Sequence, residues 1–297
     1  MKKIPRRFWR KLTKTKLYNF IPDKWAVAIK YRNHFYKKLN LKDPETFNEK
    51  LQWLKLYDRK PEYTRMVDKY LAKDYVADVI GKEYIIPTLG VWRSFDEIDF
   101  DALPEKFVLK CNHGSGDVVI CKDKAKFDIA AARKKLNAAI KQDYYKVSRE
   151  WPYKNVPRRI IAEEYLEDNE THDARDYKFF CFNGEVKCFK VDFDRFTGRH
   201  ANWYDCDRNL LPYGEKVCLP DFHKQLDFPN IMPEMINIAE KLSRGIPFLR
   251  VDFYYVNKKI YSGELTFYPA AGFKPFTDME WDRIMGGWLK LPEQKTT

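Results

Sequence analysis

Residues 250–268 read Arg-Val-Asp-Phe-Tyr-Tyr-Val-Asn-Lys-Lys-Ile-Tyr-Ser-Gly-Glu-Leu-Thr-Phe-Tyr. Val251, Phe253 and Tyr255 alternate along one strand, Ile260 and Tyr261 begin another, and Val256-Asn257-Lys258-Lys259 supplies the turn, so the segment predicts a β-hairpin. Asp252 falls on the face opposite Val251 and Phe253, and Glu264 is spaced to come level with it. Two carboxylates on paired strands, with Arg250 two residues from one of them, suit Mg²⁺ held against a nucleotide triphosphate. The same residues also fit a surface hairpin with cross-strand charges. The rest of the chain has to decide between these readings.

At 297 residues, 44% hydrophobic and 16% aromatic, the chain is long enough for a sizeable core divided among up to about three subdomains. Cys111, Cys121, Cys181, Cys188, Cys206 and Cys218 form no CxxC pair and no zinc spacing, which predicts reduced, partly buried thiols in a cytosolic protein. No window reaches about 18 uncharged apolar residues, and the basic amino terminus runs into Asp23 and Lys24 without an apolar core, so neither a membrane span nor a signal peptide is expected.

Net charge is +12, and Lys2, Lys3, Arg6, Arg7, Arg10, Lys11, Lys14 and Lys16 all precede the first acid, Asp23. Phe8, Trp9, Leu12 and Leu17 are interleaved with them. Residues 2–16 therefore suit the inner face of the plasma membrane or an anionic glycan, and they equally suit a solvated tail. No nucleic-acid motif supports the remaining alternative, so no nucleic-acid partner is expected. The expected location is cytoplasmic, with peripheral contact at that membrane face.

Periodicity predicts polar helices within 1–60, one of them opening at Asp43-Pro44-Glu45-Thr46-Phe47-Asn48-Glu49-Lys50 and carrying Leu51, Leu54 and Leu56. A single helix over 62–80 ends at Gly81. Residues 84–89 read as a strand, 106–122 as strand, glycine turn and strand, 128–148 as one helix, and 160–166 as a strand. Lys178–Asp192 reads as a hairpin turning at Asn183-Gly184. Residues 203–231 read as irregular and 233–242 as a helix before the closing hairpin, and 293–297 as a frayed tail. The expected division is a basic helical region (1–60), a linker helix and strand (61–105), a small subdomain (106–166) and a large one carrying the hairpin (167–297).

Phe107-Val108-Leu109-Lys110-Cys111-Asn112-His113-Gly114-Ser115-Gly116-Asp117 carries a lysine into a small-residue turn. Glycines there let backbone N–H groups approach phosphate, and Lys110 adds a point charge; an ordinary β-turn reads the same way. Ile160-Ile161-Ala162-Glu163-Glu164-Tyr165-Leu166 is an apolar strand ending in acids. It suits either an adenine docked at a strand edge or a plain strand cap.

The order of these motifs discriminates. Lys69 on a helix, Lys110 with its glycine turn, Glu163–Leu166, then Asp252 and Glu264 resembles the ATP-grasp superfamily. Asp43–Trp53, Lys110–Gly116, Arg175–Gly184 and Arg250–Tyr254 resemble its TupA-like group, associated with teichuronopeptide and other bacterial surface polysaccharides. The resemblance implies an α+β ATP-grasp fold, two subdomains gripping ATP between antiparallel sheets, with a helical amino-terminal extension. It implies that Lys69 and Lys110 contact the triphosphate and that residues 113–117 (His113, Gly114, Ser115, Gly116 and Asp117) cover it. Glu163, Glu164, Tyr165 and Leu166 would frame adenine, and Asp176 or Lys178 would reach ribose or phosphates. Asp252, Glu264 and Thr266 would hold Mg²⁺, and Arg250 with Lys110 would stabilise the transferring phosphoryl group. Thr266 stands where the superfamily usually has Asn, and a hydroxyl is a weaker oxygen donor.

What this implies chemically is a carboxylate–amine ligase acting through an acylphosphate, with a uronic-acid glycan and an amino acid or amine as substrates. Residues 195–225, rich in Trp203, Tyr204, Tyr213 and Phe222, read as a sugar-contacting loop or, equally, as an aromatic loop packed on the core. Two rivals remain: an ATP-dependent kinase of a sugar or lipid hydroxyl on the same fold, and a polysaccharide glycosyltransferase, for which Asp192-Phe193-Asp194 is the only tempting motif.

Overall fold

The computed structural model describes residues 13, 15–170, 174–193, 198 and 200–293. Nearly all of the basic 2–16 segment, Asp194 and residues 294–297 lie outside these.

Four helices come first: α1 (Asp23–Phe35), α2 (Phe47–Tyr57), α3 (Glu62–Val67) and α4 (Ala72–Ile80). Thr46 starts α2 because its hydroxyl accepts the Glu49 N–H while the Glu49 carboxylate accepts the Thr46 N–H, a reciprocal capping box. The single helix expected over 62–80 is two. Asp68 is extended, and its Oδ1 accepts the N–H groups of Tyr70 and Leu71 at 2.9 and 3.3 Å to begin α4. The break frees the Lys69 N–H to donate to the Asn112 carbonyl at 3.1 Å. Lys69 therefore stands at a helix break rather than on a helix. Gly81, at φ +116°, ends α4 where expected.

A four-stranded antiparallel sheet follows: β1 (Thr88–Trp92), β2 (Phe107–Cys111), β3 (Val119–Cys121) and β4 (Ile160–Glu164), in the order β1-β4-β2-β3. The first strand begins at Thr88; Lys82–Tyr84 is a 3₁₀ turn, and Ile85 makes one bridge to Ser262. By pairing with β4, β1 joins the small sheet, although the sequence reading puts it in the linker. Helix α5 (Ile129–Ile140) seats Ala132 and Leu136 in a core with Phe107, Leu109 and Ile160. The helix expected to run on to 148 stops, and α6 (Tyr144–Ser148) starts afresh where the Asp143 side chain accepts the Lys146 N–H.

The second sheet is also antiparallel: β5 (Arg175–Phe182), β6 (Glu185–Phe193), β7 (His200–Tyr204), β8 (Phe248–Val256) and β9 (Lys259–Thr266), in the order β7-β6-β5-β8-β9. Asn183 and Gly184 turn the first hairpin with φ of +53° and +87°, and Asn257 and Lys258 turn the last with +50° and +62°. These are the left-handed values that a two-residue hairpin turn needs. Helix α7 (Met232–Ser243) buries Met235, Ile238, Ala239 and Leu242 against this sheet; the spacing is one helical stripe, each large side chain contributing about 1.5–3 kcal/mol by burial.

A last helix, α8 (Glu280–Trp288), docks on α2. Asn48 donates both its backbone N–H and its amide to Asp282 Oδ1 at 2.9 and 2.8 Å. Helix α2 thereby belongs to the core of the large sheet rather than to a separate amino-terminal body. Trp203 and Tyr204 are strand residues, and with Tyr213 they are buried among Phe180, Phe228 and Phe276. Burial in the core rules them out as sugar contacts in this conformation; Phe222 alone of the four is exposed. All six cysteines are free thiols, five of them buried. Among the described residues no helix is long and apolar enough to cross a membrane.

Candidate active site

Strand pairing sets the site. Antiparallel register puts Asp252 opposite Glu264 and opposite Lys178, and Arg250 opposite Thr266. Alternate residues share a face, so Arg250, Asp252, Glu264, Thr266, Asp176 and Lys178 look out from one side of the large sheet. Gly263 is the extra residue that keeps the Asp252–Glu264 match while Phe253 pairs with Ser262. A Cβ there would come within 2.9 Å of the Tyr254 ring and 3.3 Å of the Asp252 carbonyl.

A cleft of about 410 Å³ opens over this face. Lys69, Lys110, Ser115, Gly116 and Asp117 line it from the small-sheet side, and Asp176, Lys178, Arg250, Asp252 and Glu264 from the other. Arg250 spans both Asp252 oxygens at 2.6 Å and lies 3.5 Å from Glu264. Lys69 donates to the Gly114 carbonyl at 2.5 Å and lies 3.5 Å from Glu264. Lys178 is held by Asp176 and, at 3.3 Å, by Asp192. Burial raises the Asp252 carboxyl to about 6, against the pull of Arg250 and Lys178. Burial also pushes Glu264 up, but Lys69, Arg250 and Lys110 outweigh it and hold that carboxyl below its ordinary value.

Lys110 does not reach into the cleft alone. Glu163 bridges it at 2.5 Å and Lys73 at 2.8 Å, and Lys73 also donates to the Ile86 carbonyl and to Thr88. Burial disfavours the Glu163 carboxylate, yet the two lysines outweigh that and lower its pKa. Lys73 carries no role in the sequence reading; its spacing of four from Lys69 was the available signal. Asp117, one of the residues 113–117 expected to cover the triphosphate, lines the cleft. Its Oδ2 accepts the Cys111 N–H at 3.0 Å, which ties the end of the glycine turn back to the lysine strand.

The expected adenine frame is placed differently from the phosphate groups. Strand β4 is central, paired on both sides, so its backbone offers no free edge over Ile160–Glu164. Glu163 faces lysines, Glu164 is exposed, and Tyr165 and Leu166 continue beyond the strand, the Tyr165 ring carrying Lys122 at 5.4 Å. Neither His113 nor Gly114 lines the cleft: His113 is buried with Nε2 against the Gln142 carbonyl at 3.3 Å, and burial lowers its pKa. Asp192, the start of the tempting Asp-Phe-Asp motif, is buried against Lys178 and Lys190.

A divalent cation fits the donor set. Asp252 and Glu264 are hard oxygen donors facing each other across two strands, and the Thr266 hydroxyl beside them is buried without a hydrogen-bond partner. Among the described residues no three His, Cys, Asp or Glu side chains gather into a closed cage. A cation here would complete its shell with phosphate oxygens and water, which is how Mg²⁺ is usually held.

The family described as TupA-like ATPgrasp matches residues 49–290. The chain belongs to the TupA-like ATP-grasp family. No curated protein matches this TupA-like chain. Among solved structures it is similar to D-alanine–D-alanine ligase from Bacillus anthracis complexed with ATP, at 13% identity over 68% of this chain and 53% of that one, with a TM-score of 0.40. It is similar to the ATP-grasp ligase PsnB complexed with a phosphomimetic precursor variant, Mg and ADP, at 12% identity over 73% and 56%, TM-score 0.41. The D-alanine–D-alanine ligase from Helicobacter pylori is 15% identical over 82% and 69%, TM-score 0.42. The TupA-like chain thus spans between about half and just over two thirds of these solved chains.

Proposed function

We propose that this protein is a Mg-ATP-dependent carboxylate–amine ligase. The observation that carries the reading is a single cleft in which Lys69, Lys110, Lys178 and Arg250 converge on the Asp252–Glu264 pair. These four cations are matched by four carboxylates in the cleft, Asp117, Asp176, Asp252 and Glu264, so a triphosphate would bind by drawing lysines and Arg250 away from those partners while a divalent cation takes up the carboxylates. No hydrolytic triad is needed, because phosphoryl transfer asks mainly for alignment and charge compensation.

The reaction proceeds in two steps. A substrate carboxylate oxygen attacks the γ-phosphorus, the bond to the bridging oxygen breaks, and ADP leaves. The amine then attacks the acylphosphate carbon, forming the amide and expelling phosphate, with the nitrogen losing its proton. Lys110 and Lys69 neutralise the phosphates from the small-sheet side, and the N–H groups around Ser115 and Gly116 cover them. Arg250 leaves Asp252 to stabilise the charge that spreads over the equatorial oxygens. Asp252, Glu264 and Thr266 would hold Mg²⁺, which would supply neutralisation of phosphate charge when bound.

The substrate carboxylate is proposed to be a uronic acid of a bacterial surface polysaccharide or its precursor, and the amine an amino acid or small amine. The family association and the basic amino-terminal segment support that choice. Purified protein given Mg-ATP with mixtures of uronic acids and amino acids should release ADP and phosphate only when both a carboxylate and an amine are present. ADP without phosphate would instead make it a kinase of a hydroxyl group. Binding of a UDP-sugar, with no Mg-ATP binding and no turnover, would overturn the nucleotide site altogether.

A further inference from the structure

The first described residues form an apolar surface held rigidly at the edge of the molecule. Lys16–Phe20 is a 3₁₀ helix, in which residues three apart share a face. Leu17 is 67% exposed and Phe20 84%, while Tyr18 between them is buried. In α1, Trp25, Ile29, Arg32 and Tyr36 follow at spacings of four, three and four, which is one stripe of the helix and its C-cap. Trp25 is 67% exposed. The opposite stripe, Ala26, Val27 and Tyr31, is fully buried, with Val27 and Tyr31 packed near Leu39 and Phe273. The helix therefore carries apolar side chains on two faces, and the described residues cover only one of them.

These residues do not belong to a loose arm. The Tyr18 hydroxyl donates to the Ala26 carbonyl at 2.9 Å, and Arg149 donates to the Tyr18 carbonyl at 2.6 Å. Asp23, at the start of α1, accepts from Arg59 at 2.7 Å, from the Tyr145 hydroxyl at 2.6 Å and from Arg149 at 3.2 Å. Leu17, Phe20 and Trp25 are held outward by this lattice.

The charge around them is one-sided. Residues 1–42 contain 14 of the 55 basic side chains and 1 of the 43 acids, a net +13, and residues 43–297 carry −1, so the positive charge of the chain sits in its first 42 residues. Lys24, Arg32, Lys37 and Lys38 border the aromatic stripe and are exposed. Aromatic side chains set among Lys and Arg match the boundary of an anionic bilayer, where the rings enter the interface and the cations meet lipid phosphates.

We propose that Leu17, Phe20 and Trp25, ringed by Lys24, Arg32, Lys37 and Lys38, seat this protein on an anionic lipid surface. The inference does not depend on the chemistry proposed for the cleft. Membrane partition then comes from the folded helix as well as from the basic segment before it, and mild salt weakens it without abolishing it.

The test is flotation of the full chain with vesicles of phosphatidylcholine and phosphatidylglycerol, compared with phosphatidylcholine alone. Partition is expected to favour the mixed vesicles. Phe20→Ala with Trp25→Ala should weaken it about tenfold or more, as should Arg32→Glu with Lys37→Glu and Lys38→Glu. All five positions are exposed, so thermal midpoint and nucleotide turnover should stay at the parent values. Brominated lipid should quench the parent's fluorescence, and Trp25→Phe should reduce that quenching, leaving what Trp9 of the basic segment contributes. Equal partition of parent and Phe20/Trp25 variant overturns the proposal, and so does binding to a polyuronate or to RNA with none to anionic vesicles.

Discussion

Glu163 is a buried carboxylate and Glu264 a partly exposed one; both are held between lysines or arginine, and they do different work. Glu163 is the fixed centre of a Lys73–Glu163–Lys110 bridge that sets where Lys110 stands. Its depressed pKa makes it a source of stability that is present above its unfolded value near 4.5 and lost as pH falls through the folded value. Glu163→Gln leaves two lysine charges without their partner, and should cost about 3–5 kcal/mol. Denaturant midpoints measured from neutral pH down to acid should show it, with the variant losing less further stability than the parent as pH falls below about 4.5. Glu264 has its nearest cations at 3.5 Å rather than in tight bonds, so it is free to exchange them for a cation. Glu264→Ala should abolish ATP turnover, and circular dichroism should remain that of the parent; a fully active Glu264→Ala protein sinks the metal assignment.

At the scale of elements, one junction fastens the amino-terminal helix α2 to the last helix α8. Asn48 and Asp282 tie α2 to α8, and Gly286 lets the backbones touch: a Cβ at Gly286 would sit 2.1 Å from the Glu45 carbonyl oxygen and 2.8 Å from the Phe47 nitrogen. The neighbouring atoms are backbone and cannot swing away. Gly286→Ala should therefore destabilise the protein by about 2–3 kcal/mol, read as a lowered thermal midpoint. The capping box at Thr46 was legible because its chemistry is local, three residues apart. The helix break at Asp68 and the stop before α6 were not, because both turn on one Asp side chain choosing a backbone N–H over helix continuation, and the apolar spacing carries on past each of them. Strand β7 hid in the same way. Its Trp203 and Tyr204 fit a sugar-contacting loop and a packed one equally well, and only the packing of Phe180, Phe228 and Phe276 around them shows that they are core.

For the whole molecule, the cleft lies between groups carried by different sheets. Lys110 comes from the small sheet, and Asp252, Glu264 and Arg250 from the large one. A ligand that bridges them binds only the assembled form, so it stabilises by mass action, about 2.7 kcal/mol at a hundredfold excess over its Kd. A non-hydrolysable ATP analogue with Mg²⁺ should raise the thermal midpoint by several degrees, and chelating the metal should remove most of the rise. An unchanged midpoint under saturating nucleotide would count against the cleft as the nucleotide site.

Local pattern was enough to fix the two closing strands, the match of Asp252 with Glu264, the lysine strand with its glycine turn, and the order of motifs that marks the ATP-grasp family. Alternation and turn chemistry act over a few residues, so they are written in the chain itself. The tertiary structure decided which charges meet. That Lys73 shares Glu163 with Lys110, that β4 is central and leaves no edge for adenine, and that Asp252 is clasped by Arg250 and stands opposite Lys178 all follow from strand order and long-range register. Those depend on burial summed over the whole core, which no short stretch of sequence contains.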